Sequence, residues 1–180
     1  QSLVTAPHEY RASRPGRGRQ IAVGIAAASA PWLWVLHADG LPSSASVHQL
    51  LELVAAQEPR WGRFNVEIDG LALIAHMMNL RSRLSRICTG DQGMFFHADL
   101  LKKIGGFPQQ PLMEDIEVST RLKAAAPSAF VALPAVVETS ARRWHKAGVL
   151  KTVLMMWIYR CRYFLGADPA ALAKAYYRDG

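Results

Sequence analysis

Cysteine is scarce in this sequence. Only Cys88 and Cys161 occur among 180 residues, and neither stands in a CxxC or metal-ligand spacing. That argues against a disulfide scaffold and a thiolate metal centre, and it fits a reducing, cytoplasmic setting. Long apolar runs are missing as well. Near the C-terminus the longest uncharged apolar stretch is residues 152–159, too short to span a bilayer. No signal-peptide pattern, repeat or low-complexity linker is visible. Carboxylates are outnumbered, 14 Asp and Glu against 21 Lys and Arg, for a formal charge of +7. The excess favours anionic partners, whether nucleotide diphosphate, nucleic acid or an acidic membrane face, without choosing among them.

What is present is ordinary for a folded domain: 51% hydrophobic and 19% charged residues. Residues 1–180 are read as one domain with room for a core. The opening, residues 1–20, is rich in arginine (Arg11, Arg14, Arg17 and Arg19), is broken by Pro7 and Pro15, and is read as loop. A small-residue helix is expected over 21–30. The continuous apolar run 32–36 suits a central, doubly covered strand of a parallel sheet. After the turn 40–42, Val47, Leu50, Leu51 and Val54 recur at helical spacing. Residues 63–69 alternate, which predicts a half-exposed strand nearer an edge. Helices are expected over 71–86, 98–104 and 114–125, and strands over 93–97, 129–133 and 136–140. Two helices close the chain, 149–165 and 169–177, the second with Asp168 as N-cap and Pro169 in its first turn.

Three places put polar residues where strands end, the position at which open α/β sheets bind ligands. His37 and Asp39 follow the apolar run, and an imidazole beside a carboxylate suits Mg²⁺ or Mn²⁺ bridging a diphosphate; Asp39 could equally serve a simple turn with Gly40. Glu114 and Asp115 open a helix. A carboxylate there can cap the helix dipole or act as general base on an acceptor hydroxyl. In Thr89-Gly90-Asp91-Gln92-Gly93 the glycines permit close backbone approach to a ligand, or merely form a turn.

Taken in order, Arg17-Gly18-Arg19-Gln20, His37-Ala38-Asp39, Trp61-Gly62-Arg63-Phe64, Asn79-Leu80-Arg81, Thr89-Gly90-Asp91-Gln92, Gly105-Gly106-Phe107-Pro108 and Met113-Glu114-Asp115-Ile116-Glu117 resemble the bacterial branch of family 2 glycosyltransferases found beside radical-enzyme gene clusters. Ser140-Ala141-Arg142-Arg143-Trp144 and Tyr163-Phe164-Leu165-Gly166 extend the likeness to nearly the whole chain. The resemblance implies a GT-A-like α/β fold with a mostly parallel central sheet flanked by helices, a nucleotide-sugar donor and an inverting, metal-assisted transfer. By the same resemblance Asp39, with His37, would hold Mg²⁺ or Mn²⁺. Asp115, with Glu114 beside it, falls at the catalytic base. Arg17, Arg19, Gln20 and Asp39 fall near the donor, and Gly90, Asp91 and Gln92 at the acceptor loop.

The likeness has departures. Ala22 replaces a usual Asn, Gly40 a usual Thr, and His145 a common acidic residue. The family's opening strand-helix-strand, with its Pro-x-x-Asn-Glu and Asp-Gly-x-Ser motifs, has no counterpart here, so an N-terminally truncated transferase domain is expected. The acceptor, whether lipid, glycan or small molecule, is not specified. Helix 149–165, apolar nearly all round with flanking cations, is read as buried or as a homodimer contact. The alternative is a basic helix lying peripherally on the inner face of a membrane that holds a lipid acceptor. The competing functions are a nucleotidyltransferase acting on sugar phosphates, a folded but inactive fragment, and a basic nucleic-acid-binding module. The last is disfavoured because no recognised binding motif occurs.

Overall fold

A computed structural model of the chain describes residues 9–142, 144 and 148–179. Arg143, His145 and Lys146 lie outside the described residues. The helix expected over 21–30 begins four residues earlier, at the Gly16 N-cap, and runs Arg17–Ala27 (α1). Thus Arg17, Arg19 and Gln20 sit in a helical turn, not in a loop. There follow Trp32–Val35 (β1), Leu41–Pro42 (β2), Ser44–Ala55 (α2), Trp61–Ile68 (β3) and Ala72–Ser85 (α3). The second half holds Met94–His97 (β4), Ala98–Lys103 (α4), Glu114–Ala125 (α5), Phe130–Thr139 (β5), Val149–Phe164 (α6) and Pro169–Asp179 (α7). Asp168 caps α7 as expected: the Ala170 and Ala171 N–H groups donate to its two carboxylate oxygens, both at 3.2 Å.

The chain is mixed α/β, with one five-stranded sheet in the order β1-β4-β3-β5-β2. Only β3 and β5 pair in parallel; β1 with β4, β3 with β4 and β2 with β5 are antiparallel. The sheet is therefore mixed where a mostly parallel one was expected. Two placements are reversed as well. The apolar run 32–36 forms an edge strand rather than the centre, and the alternating segment after Trp61 is the central strand rather than a peripheral one.

The physical reason is that apolar patterning reports which faces of a strand are covered, not its place in the hydrogen-bonded order. Both faces of β1 are in fact covered. Leu33 and Val35 join a core with Phe96, Val118 and Leu122, under α1, α4 and α5. Trp32 and Trp34 join Phe64, Phe95 and Val137 on the other side, where α2 brings Leu50 and Leu53. In β3, the polar Arg63 is fully buried because its guanidinium donates to the Asn79 carbonyl at 2.9 Å and to the Asn65 side chain. These bonds offset part of the cost of burying the cation, while its Nε–H finds no partner among the described residues.

The two strand segments expected at 129–133 and 136–140 are one strand. Its register jumps from Leu133 opposite Phe64 to Val136 opposite Asn65, leaving Pro134 and Ala135 as a bulge. A proline has no N–H for the ladder, so a bulge is where it fits. Asn65 Nδ2 donates to the Pro134 carbonyl at 3.0 Å, and the Ala135 N–H donates to Gln49 Oε1 at 3.1 Å. The bulge is thereby satisfied.

Helix α6 is not buried. Leu150, Leu154, Trp157 and Phe164 are exposed, and within it only Thr152 and Tyr159 are buried. Its inner residues Val153 and Met156 pack with Ala75 and Met78 of α3, while Tyr159 packs with Leu172 of α7 and Ile116 of α5. Among the described residues no helix is long and apolar enough to cross a membrane.

Candidate functional site

Two loops and two helix starts meet beyond the end of β1. Helix α5 opens on Met113, whose left-handed backbone (φ 62°) turns the chain sharply so that Glu114 and Asp115 enter the first turn. Asp115 is fixed from three sides. The Gly90 N–H donates to its Oδ2 at 3.1 Å, the Ile116 N–H donates to its Oδ1 at 2.8 Å, and the Arg17 guanidinium lies 3.8 Å from Oδ2. Glu114 is 1% exposed and accepts from Arg17 Nε–H through Oε1; its Oε2 has no hydrogen-bond partner among the described residues.

Burial pushes the Glu114 carboxyl above the usual range and repulsion from Asp115 adds to this, while Arg17 pulls the other way. For Arg17 itself burial opposes the charge, but attraction to Asp115 and Glu114 outweighs it and holds the guanidinium above its ordinary value. Glu114 is thus the anchor for Arg17, and Asp115 is the carboxylate of the pair that faces open space.

That space is a cavity of about 210 Å³ whose lining includes Arg17, His37, Asp39, Thr89, Asp91 and Asp115. The structure therefore gathers the three segments singled out from sequence into one site. His37 Nδ1 lies 3.0 Å from Asp91 Oδ1, and this hydrogen bond is the main reason the imidazole is held above its ordinary value, burial opposing it. The other nitrogen, Nε2, is buried and finds no partner among the described residues. Gly90 is there because nothing larger fits: a Cβ on it would come within 2.1 Å of His37 Nε2. Asp39 sits in the turn closed by the Gly40 N–H donating to the His37 carbonyl at 2.9 Å. Its side chain lines both the cavity and a second hollow of about 500 Å³, which Arg17, Gln20 and Ala38 also line.

Arg19, Gln92 and Glu114, all predicted from sequence, do not line the cavity. Arg19 faces a separate hollow with Arg14 and Gln109. Gln92 is fully buried and spends its amide on Thr89, Asn79 and Ser82, so it holds the 89–92 loop rather than lining the cavity. Glu114 is buried against Arg17.

Other residues of the site were not singled out from sequence. Trp144, with Tyr159 and Arg160 of α6 and Tyr176 of α7, also lines the cavity. Arg160 had a legible signal, being a cation in an apolar helix that contains no carboxylate to pair with it.

As a metal site the arrangement is sparse. Among the described residues no group of three or more His, Cys, Asp or Glu side chains could hold a metal ion. His37 is engaged by Asp91, which leaves Asp39 as a single carboxylate at the junction of the two hollows. One carboxylate suffices for Mg²⁺ when substrate phosphates and water complete the shell. In comparisons with known proteins the chain matches no family model and no curated protein.

Proposed function

We propose that the chain is a glycosyltransferase of GT-A type, moving a sugar from a nucleotide donor to an acceptor hydroxyl with inversion. The observation that carries this is the division of labour around one cavity: Asp115 in its lining, fixed by backbone N–H groups, and Asp39 with Arg17 lining both it and the second hollow. The two acidic groups thus face different parts of a substrate pair.

In this reading the sugar lies in the cavity and the diphosphate in the outer hollow. Asp115 takes the proton of the acceptor hydroxyl as that oxygen bonds to the anomeric carbon, and the bond from that carbon to the diphosphate oxygen breaks on the opposite face. Both Asp115 oxygens keep lone pairs free for this beyond the backbone bonds they accept. The Arg17 guanidinium, kept charged by Glu114 and Asp115, meets the negative charge of the departing diphosphate. Asp39 would hold Mg²⁺ or Mn²⁺, which would supply further charge neutralisation to the donor. His37 and Asp91 tie the 89–92 loop to the turn at Asp39.

Titration calorimetry with a panel of uridine and guanosine diphosphate sugars, with and without Mn²⁺, tests the reading. Mn²⁺-dependent binding that weakens in Asp39→Asn supports it; no binding by any nucleotide sugar overturns it.

A further inference from the structure

A second cavity adjoins the first and differs from it in character. It is an almost wholly apolar groove of about 320 Å³ between α3 and α6, lined by Met77, Leu80, Leu84, Val153 and Trp157. Trp144, Met156 and Arg160 line both cavities, so the groove runs up to the wall of the carboxylate site. At 45–76% exposed, Leu80, Trp157, Met77 and Leu84 form an open rim that none of the described residues covers.

At the inner end the groove is cationic. Arg81 also lines it; its Nη1 donates to the Ile87 carbonyl at 3.3 Å, while its Nη2 is buried with no hydrogen-bond partner among the described residues. Burial first, and repulsion from Arg160 after it, lower the Arg81 guanidinium to about 10, with Asp115 opposing. Among the described residues Arg160 forms no ion pair within 4.0 Å. The two helices carry Arg81, Arg83, Lys151, Arg160 and Arg162 and no Asp or Glu at all. Asp115 attracts both guanidinium groups and Asp91 attracts Arg160, yet burial outweighs this and both are lowered; with the Arg81 Nη2 donor unpartnered among the described residues, an anion between the two cations would offset the cost.

We propose that the groove binds the apolar chain of an amphipathic acceptor, a lipid phosphate, whose anionic head lies between Arg81 and Arg160 and presents its oxygen toward Asp115. Charge complementarity at the inner end, an open apolar channel outward and continuity with the carboxylate cavity all fit such an occupant. This assignment of acceptor class rests on the transferase reading above.

The probe is decyl phosphate, set against inorganic phosphate and the neutral decyl maltoside, with tryptophan emission and calorimetry as readouts because Trp144 and Trp157 line the groove. Decyl phosphate is expected to shift the emission to the blue and to bind at least about tenfold more tightly than either control, since head and tail both contribute. Arg160→Gln should lose about tenfold in decyl phosphate affinity. Met77→Asp, at an exposed rim position, should lose the advantage of the chain while keeping the weak affinity for inorganic phosphate. Thermal melts of both variants establish that they are folded.

Equal binding of decyl phosphate and decyl maltoside would overturn the proposal, as would inorganic phosphate binding as tightly as decyl phosphate. So would capture by anionic vesicles without saturable decyl phosphate binding, which would make the α3–α6 surface a membrane seat instead. The titration contains no sugar nucleotide, so its failure leaves the donor site untouched. Loss of nucleotide-sugar binding alone, with decyl phosphate binding intact, tells against the transferase reading only.

Discussion

At the scale of single residues, Asp115 and Glu114 show how adjacent carboxylates acquire different work from their surroundings. One is sealed against Arg17; the other is held at a cavity wall by the Gly90 and Ile116 N–H groups. Sequence placed both at a helix start and could not tell them apart, because which carboxylate is sealed depends on where α1 docks. Asp115→Asn is expected to lower turnover about a hundred- to ten-thousand-fold with donor affinity nearly intact. If Asp115 only capped α5, the same variant would lose about 1 kcal/mol of stability and keep full turnover in its folded fraction. Melting temperature and turnover measured on one preparation separate the two. Gly90→Ala tests the neighbouring contact. A Cβ would strike the His37 ring, so the imidazole must leave Asp91, and the histidine titration followed by NMR should drop back toward its ordinary value. An unchanged titration would mean that the loop yields instead.

At the scale of elements, most helices were legible because their apolar spacing and caps are local signals, as Asp168 at α7 shows. The lateral order of strands was not. β1 reads as central since both its faces are covered, and β3 reads as half-exposed since its polar residues find partners only once α3 has packed across it. The start of α1 was missed for a related reason, as four arginines and two prolines look like loop until the helix finds its seat. That seat is narrow. A Cβ on Gly18 would approach the Gln110 and Pro108 carbonyl oxygens to 2.4 and 2.7 Å, so α1 rests directly on the backbone of the 108–110 segment. Gly18→Ala should therefore lift α1 and draw Arg17 away from Glu114 and Asp115. A stability loss of about 1–3 kcal/mol is expected from overpacking, with a fall in nucleotide diphosphate affinity alongside it. Calorimetric titration on the folded variant checks the second effect. Unaltered diphosphate affinity would mean that Arg17 does not depend on this seat.

At the scale of the whole molecule, the ionisable groups of the site give folding stability a definite slope with pH. His37 has its folded value raised above the ordinary 6.5, chiefly by its hydrogen bond to Asp91, with Asp115 assisting and Arg17 opposing. A base raised on folding contributes stability that is fully present below 6.5 and is lost as pH rises through the folded value. Glu114 acts in the same direction. Its carboxyl is raised from 4.5 by burial first, so the folded state is favoured while it keeps its proton and loses ground as pH climbs. Arg63 and Arg81, both lowered to about 10 by burial, titrate only at the alkaline end, where their early loss of a proton in the folded state works the other way. Between pH 6 and 9, then, the melting temperature should fall steadily. His37→Gln isolates the histidine's share: it should melt below the parent protein at pH 6, and the gap should narrow as pH rises, because the parent loses the charged hydrogen bond that the variant never had. A gap that stays constant over this range would show that His37 is held neutral, and that its bond to Asp91 is structural at every pH.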